Sequence, residues 1–154
     1  MTYRIAGLEG GQFRHLFGQP DEALAAQQVV RVRADGVSRF PCRISLEDAP
    51  AGETLLLLNH TDHAVATPYR NSYAIYVREQ SGPAAELRDR LPPVLEGRPI
   101  ALRGYDADGM LRGATLKLGD VEDGIDELFA RPEIAYIHAH NAAHGCFAAR
   151  IDRN

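Results

Sequence analysis

Four side chains able to hold a metal ion or move a proton crowd into the run YIHAHNAAHGCFAARIDRN that closes the sequence: His138, His140, His144 and Cys146. They are three of the six histidines and one of the two cysteines. Three chemistries fit these residue types. Two histidines at i and i+2 on a strand stand roughly 6.6 Å apart at Cα and can converge on one ion about 2.0–2.1 Å from each nitrogen. His138 and His140 would then be metal ligands, zinc being the ion to test first. His144 or Cys146 could be the third ligand, and an acid, His60 or His63 the fourth, although no fourth ligand is evident from spacing. The second chemistry is nucleophilic: Cys146 as the catalytic thiol and His140 as its base. A thiolate needs a neighbouring cation or hydrogen-bond donor to lower its pKa from roughly 8.5, and Arg150 could add to that. The third is binding of a small polar or anionic molecule by Tyr136, His138, Asn141 and Arg150. Arg43 reads as a strand-surface charge and joins this set if Cys42 lies near Cys146. Against all three stands a polar face that satisfies its own hydrogen bonds.

What positions these groups is a hairpin. Strand alternation puts Tyr136, His138 and His140 on one face and Ala135, Ile137 and Ala139 on the other. On the second strand Phe147, Ala149 and Ile151 form the apolar set, opposed by Cys146, Ala148 and Arg150. With Asn141 to Gly145 as the loop, His140 pairs with Cys146, His138 with Ala148 and Tyr136 with Arg150. Directly opposed Cβ atoms lie roughly 4.5–5.5 Å apart, within reach of an imidazole–thiol hydrogen bond. A loop one residue shorter would pair His138 with Phe147 instead, so the Cys–His pair hangs on register.

The rest of the chain supplies the frame. YRIAGL reads as a first strand and PDEALAAQ as a short helix with acids at its positive end. VVRVRAD alternates Val30 and Val32 inward against Arg31 and Arg33. CRISLEDAP and ETLLLLNH follow as strands; the unbroken Leu55–Leu58 run implies burial on both faces and hence a central strand. His60-Thr61-Asp62-His63 reads as a solvated loop after it. SYAIYVRE is a further strand, AAELRDRL two helical turns stopped by Pro92-Pro93, and PIALRGYDADGMLRGATLKLG two strands around Asp108-Gly109. DVEDGIDELFARP is the clearest helix, with Val121, Ile125, Leu128 and Phe129 on one stripe, Asp120 as cap and Pro132 as stop. These elements make an α+β fold, mainly antiparallel: a strongly bent sheet or partly closed barrel with two or three short helices, in one domain over 1–154.

Composition removes several function classes. With 45% hydrophobic and 25% charged residues, the chain is an ordinary globular one. A net charge of −4 leaves no basic field for nucleic acid. No run of roughly 20 apolar residues and no signal-like start is visible, so no membrane partner and a cytoplasmic location are expected, with Cys42 and Cys146 as reduced thiols. The phosphate-loop, dinucleotide, zincin, nucleophile-elbow and C-x-x-C motifs are all missing. Asp106-Ala107-Asp108-Gly109 starts like a calcium loop, but Met110, Leu111 and Lys117 break the ligand pattern, leaving a turn.

The stretches YIHAHNAAHGCFAARIDR, FPCRISLEDAPAGETLLLLN, PYRNSYAIYVRE and LRGYDADGM together resemble an uncharacterised bacterial family, domain of unknown function 1203. The resemblance covers nearly the whole chain and implies a single-domain cytoplasmic protein without an assigned activity. Its pattern, H-x-H-N-A-x-x-G-C followed by A-R-x-D, falls on His138, His140, Asn141, Gly145, Cys146, Arg150 and Asp152. His144, His60 and His63 fall on variable positions, which weakens a metal site built on His144.

Overall fold

The computed structural model describes residues 2–154 and divides them between two antiparallel sheets. Nine strands run in chain order: β1 (Tyr3–Ala6), β2 (Val30–Arg33), β3 (Thr54–His63), β4 (Asn71–Arg78), β5 (Glu86–Arg88), β6 (Ile100–Tyr105), β7 (Leu111–Lys117), β8 (Tyr136–Asn141) and β9 (Phe147–Arg153). Two α-helices, α1 (Asp21–Ala25) and α2 (Val121–Phe129), and three single 3-10 turns complete the described residues. The larger sheet has the order β5-β1-β9-β8-β6-β7, and the smaller β2-β3-β4. The mainly antiparallel α+β class therefore holds, whereas the partly closed barrel does not: the strands form two separate sheets. Among the described residues no helix is long and apolar enough to cross a membrane.

Each sheet has its own core. One face of the larger sheet presents Ile5, Leu102, Ile137, Ala149 and Ile151 to the stripe of α2 formed by Val121, Ile125, Leu128 and Phe129. Removing such side chains from water contributes roughly 25 cal/mol per Å² of apolar surface, which is what fixes α2 on the sheet. The smaller sheet packs Leu56, Leu58, Ile75 and Val77 against Phe13, Leu16 and Leu24 from the N-terminal turns and α1. As its leucine run implies, β3 is central, with Leu55 and Leu56 fully buried. The two units meet where β1 ends. A Cβ on Gly7 would lie 2.0 Å from the Ile44 carbonyl oxygen, so only glycine lets that strand end against the Arg43–Ile44 backbone.

Several local expectations fail for tertiary reasons. CRISLEDAP is a turn carrying only isolated bridges, Pro41 to Asp48 and Cys42 to Tyr76. AAELRDRL supplies the edge strand β5, because β1 offers its Ile5 and Ala6 backbone to Leu87 and Glu86. In β2 the expected alternation fails at its first two residues. Val30 is exposed, whereas Arg31 turns inward to a fork with Glu79 at 2.7 and 3.0 Å. Asp120 precedes α2 in a left-handed conformation and makes no side-chain cap. Most consequential for the site, Asp62 and His63 belong to β3 and not to a loop.

Candidate functional site

Every residue of β8 is buried. Opposite the α2 face, register aligns Arg103 of β6, His138 of β8 and Arg150 of β9 in one row, and Tyr105, Tyr136 and Asp152 in the next. The far end of β3 lies over this polar face. A β-bulge there pairs Thr61 with Ser72 and His63 with Asn71, leaving Asp62 as the extra residue. Bulges of this kind re-aim a side chain without ending the strand.

His63 is buried and fully engaged. Its ring lies 4.0 Å from that of Tyr105, its Nδ1–H donates to the Tyr69 carbonyl (2.9 Å), and its Nε2 accepts from the Tyr136 hydroxyl (2.7 Å). Burial raises the pKa of both Tyr105 and Tyr136, which keeps the phenols protonated as donors. The other two histidines on this face are different. His140 donates Nδ1–H to the Gly145 carbonyl (2.9 Å), leaving buried Nε2 without a partner. His138 leaves buried Nδ1 equally unpartnered, 3.9 Å from an Asp62 carboxylate oxygen. That contact is too long for a hydrogen bond. Nor is it an ion pair, because burial above all, then the neighbouring His63 and His140, hold the His138 pKa down to about 2. Burial also lowers that of His140. Asp62, His138 and His140 thus present ligand atoms within 4.8 Å of one another, and Asn71 Nδ2 steadies the carboxylate at 2.8 and 3.0 Å.

Cys146 lies elsewhere. Asn141 extends β8 and pairs with Cys146, which puts Phe147 opposite His140, and a second bulge, at Ala148, brings Arg150 opposite His138. The expected alignment of His140 with Cys146 is therefore overturned: Phe147 stands on the histidine face, its ring 5.0 Å from His138. Cys146 instead receives Arg43 Nη2 at 3.1 Å and Asn141 Nδ2 at 3.4 Å. Arg43 is no surface charge. It is 2% exposed, with Nε on the Phe147 carbonyl (2.8 Å) and Nη1 on that of Pro41 (2.7 Å). Burial pulls its pKa down and the Cys146 sulfur opposes that pull. Both cysteines are free.

Arg43, Asn141 and Cys146 line a cavity of about 680 Å³ beside the hairpin loop, whereas Tyr136, His138 and His140 do not. Arg150 shares the histidine face but is spent on Asp152 (2.9 Å) and lies 4.1 Å over the Tyr136 ring. The sequence candidates thus separate into a cavity group and a buried histidine group. Asp62 and His63, which sequence reasoning read as part of a solvated loop with His63 a possible fourth ligand, and Arg98, which it passed over, complete the two. No alternation marks the first pair: Asn59 to His63 are all polar, so nothing in the sequence signalled that β3 runs on through His63.

The fold and these clusters define an antiparallel α+β protein with two polar centres on one hairpin. The chain belongs to the family described as "Protein of unknown function (DUF1203)", which matches residues 39–153 and so spans every candidate residue above. No curated protein and no solved structure matches the chain.

Proposed function

We propose that the chain binds a small molecule with an apolar body and one anionic group in the cavity beside the hairpin loop. The observation that carries this reading is the charge of the lining: Arg39, Arg43 and Arg98 contribute to it and no carboxylate does. Arg39 and Arg98 share one carboxylate partner, Asp48, at 2.9 and 2.6 Å. The buried Nε of Arg98 has no partner among the described residues. Arg98 is also among the charges that depress the Arg43 pKa, so an anion between the two would relieve their repulsion. Most of the remaining wall, Phe40, Leu57, Tyr73 and Tyr76 among it, is apolar or aromatic. Such a mixture of apolar surface and a few convergent polar groups is how small-molecule sites achieve orientation. Cys146, Asn141 and His144 are the polar contacts at the loop side. Two free thiols suit a reducing compartment, and we place the protein's work in the cytoplasm on that ground.

Calorimetry with 2-naphthoate and its neutral counterpart 2-naphthalenemethanol tests the proposal. A hydrogen bond to a charged group is worth roughly 1.5–3 kcal/mol, so the carboxylate should bind about 10- to 100-fold tighter. Arg98→Met should erase that preference. Equal affinity for the two compounds, or no saturable binding across a series of aryl and alkyl carboxylates, would overturn the reading.

A further inference from the structure

On the opposite side of the same hairpin, we infer that Asp62, His138 and His140 form a binding site for one divalent first-row transition ion. The site is distinct from the cavity and does not rest on it. Its basis is geometric: two imidazole nitrogens, on side chains 2% and 0% exposed, have no partner, and both histidines have a ligand atom within 4.8 Å of a carboxylate whose side chain is 1% exposed.

A cation suits the chemistry of this triangle. A buried polar group left unsatisfied costs roughly 1–3 kcal/mol, so two unpartnered nitrogens beside a buried carboxylate call for a common partner. His140 presents a lone pair at Nε2, because its Nδ1 proton is committed to Gly145. Asp62 presents only lone pairs, and His138 presents one at Nδ1 when its proton is on Nε2. With the His138 proton on Nε2 a single water brings only two protons to three acceptors, whereas one cation serves all three; with that proton on Nδ1 a water would also fit, and metal titration separates the two. Bound about 2.0–2.1 Å from each nitrogen, neighbouring ligand atoms stand roughly 3 Å apart, so the ion draws the 3.9 Å Asp62–His138 approach in by about an ångström.

The surroundings are those of a metal site one step out. Imidazole ligands commonly donate their second N–H to a backbone carbonyl, and ligating carboxylates are themselves hydrogen-bonded. Gly145 serves His140 in the first way and Asn71 serves Asp62 in the second. Two imidazoles with one carboxylate select zinc, iron or cobalt over calcium and magnesium, which prefer oxygen. Three protein ligands leave at least one coordination position for water or a substrate.

The full chain, stripped by dialysis against a chelator, should be titrated with Zn²⁺ by calorimetry and with Co²⁺ by visible absorption. The expected result is one ion per chain with a Kd of about 1 µM or tighter and a d–d band for cobalt. Asp62→Asn and His140→Gln should each weaken binding by about 100-fold or more. Asn71→Ala, which keeps all three ligands, should weaken it about 10-fold. His15→Ala, at an exposed histidine, should leave it unchanged. Folded wild-type protein that shows no saturable binding overturns the site. So does binding that survives Asp62→Asn or disappears with His15→Ala, since the ion would then be adventitious. Should His140→Gln fail to fold, the Asp62→Asn, Asn71→Ala and wild-type titrations still decide the matter.

Discussion

The β8–β9 hairpin buries polar groups on both sides, and the two sides obey opposite rules. On the cavity side Arg43 commits donors to two carbonyls and a sulfur, so a cation nearly out of solvent is held at every arm. On the other side His138 and His140 each keep a nitrogen without a partner. Between them, in type if not in place, stands His63, whose ring is 5.0 Å from His138 yet which has both nitrogens bonded. Burial alone therefore does not separate scaffold from site; completeness of hydrogen bonding does. Arg43 and His63 are satisfied by the protein, and their loss should cost stability. His138 and His140 are satisfied by something else, and their loss should cost binding.

The largest effect that could break this contrast is at Arg43. Arg43→Met strands the buried Pro41 and Phe147 carbonyls and should destabilise the chain by about 3 kcal/mol or more in urea unfolding. Arg43→Lys should fail to rescue it, because an ammonium cannot reproduce three directions of a planar fork. Next is pH. His138 has a folded pKa of about 2, below its unfolded value near 6.5, so the unfolded chain binds the proton first. Its contribution to stability is complete above about pH 6.5 and is lost as pH falls toward the folded value. From pH 6.5 to 5 the loss should be about 2 kcal/mol for metal-free protein. His138→Gln should flatten the slope by one proton, and an unchanged slope would show that His138 takes up its proton while folded.

Much of this arrangement was legible in the sequence, because strand alternation is local. YIHAHN and the apolar set of AARID identify the two faces of the hairpin, and the helical stripe over Val121–Phe129 identifies what covers one of them. Register was not legible. Asn141 extends β8 and pairs with Cys146 instead of opening the loop, which puts Phe147 opposite His140, and the Ala148 bulge then brings Arg150 opposite His138. Asp62 was hidden by a second bulge and by distance: more than seventy residues separate it from His138, and only packing of the smaller sheet onto the larger brings them together. Arg43 was misjudged because the acceptors that make its burial tolerable are backbone carbonyls, which every sequence has and no sequence advertises.

Smaller effects sharpen the distinction between the satisfied and the unsatisfied histidines. Tyr136→Phe removes the donor to His63 Nε2 and should cost about 1–2 kcal/mol while leaving zinc affinity unchanged, read by paired unfolding and calorimetry. A fall in affinity would mean that His63 and Tyr136 belong to the metal site as well.

Asp62→Asn is the mildest and most discriminating change. Shape is conserved, Asn71 can still donate to the remaining carbonyl oxygen, and the new amide N–H is directed at imidazole nitrogens that otherwise have no partner. In metal-free protein the substitution should therefore be neutral, or stabilising by up to about 1 kcal/mol, because it adds a donor to a cluster of acceptors. In saturating zinc the order should reverse, since an ion at a hundred times its Kd adds about 2.7 kcal/mol to wild type alone. The crossing of those two stability differences is the signature of a side chain kept for its ligand. A loss above about 2 kcal/mol without metal would instead make the Asp62 carboxylate part of the scaffold, on the same footing as Arg43.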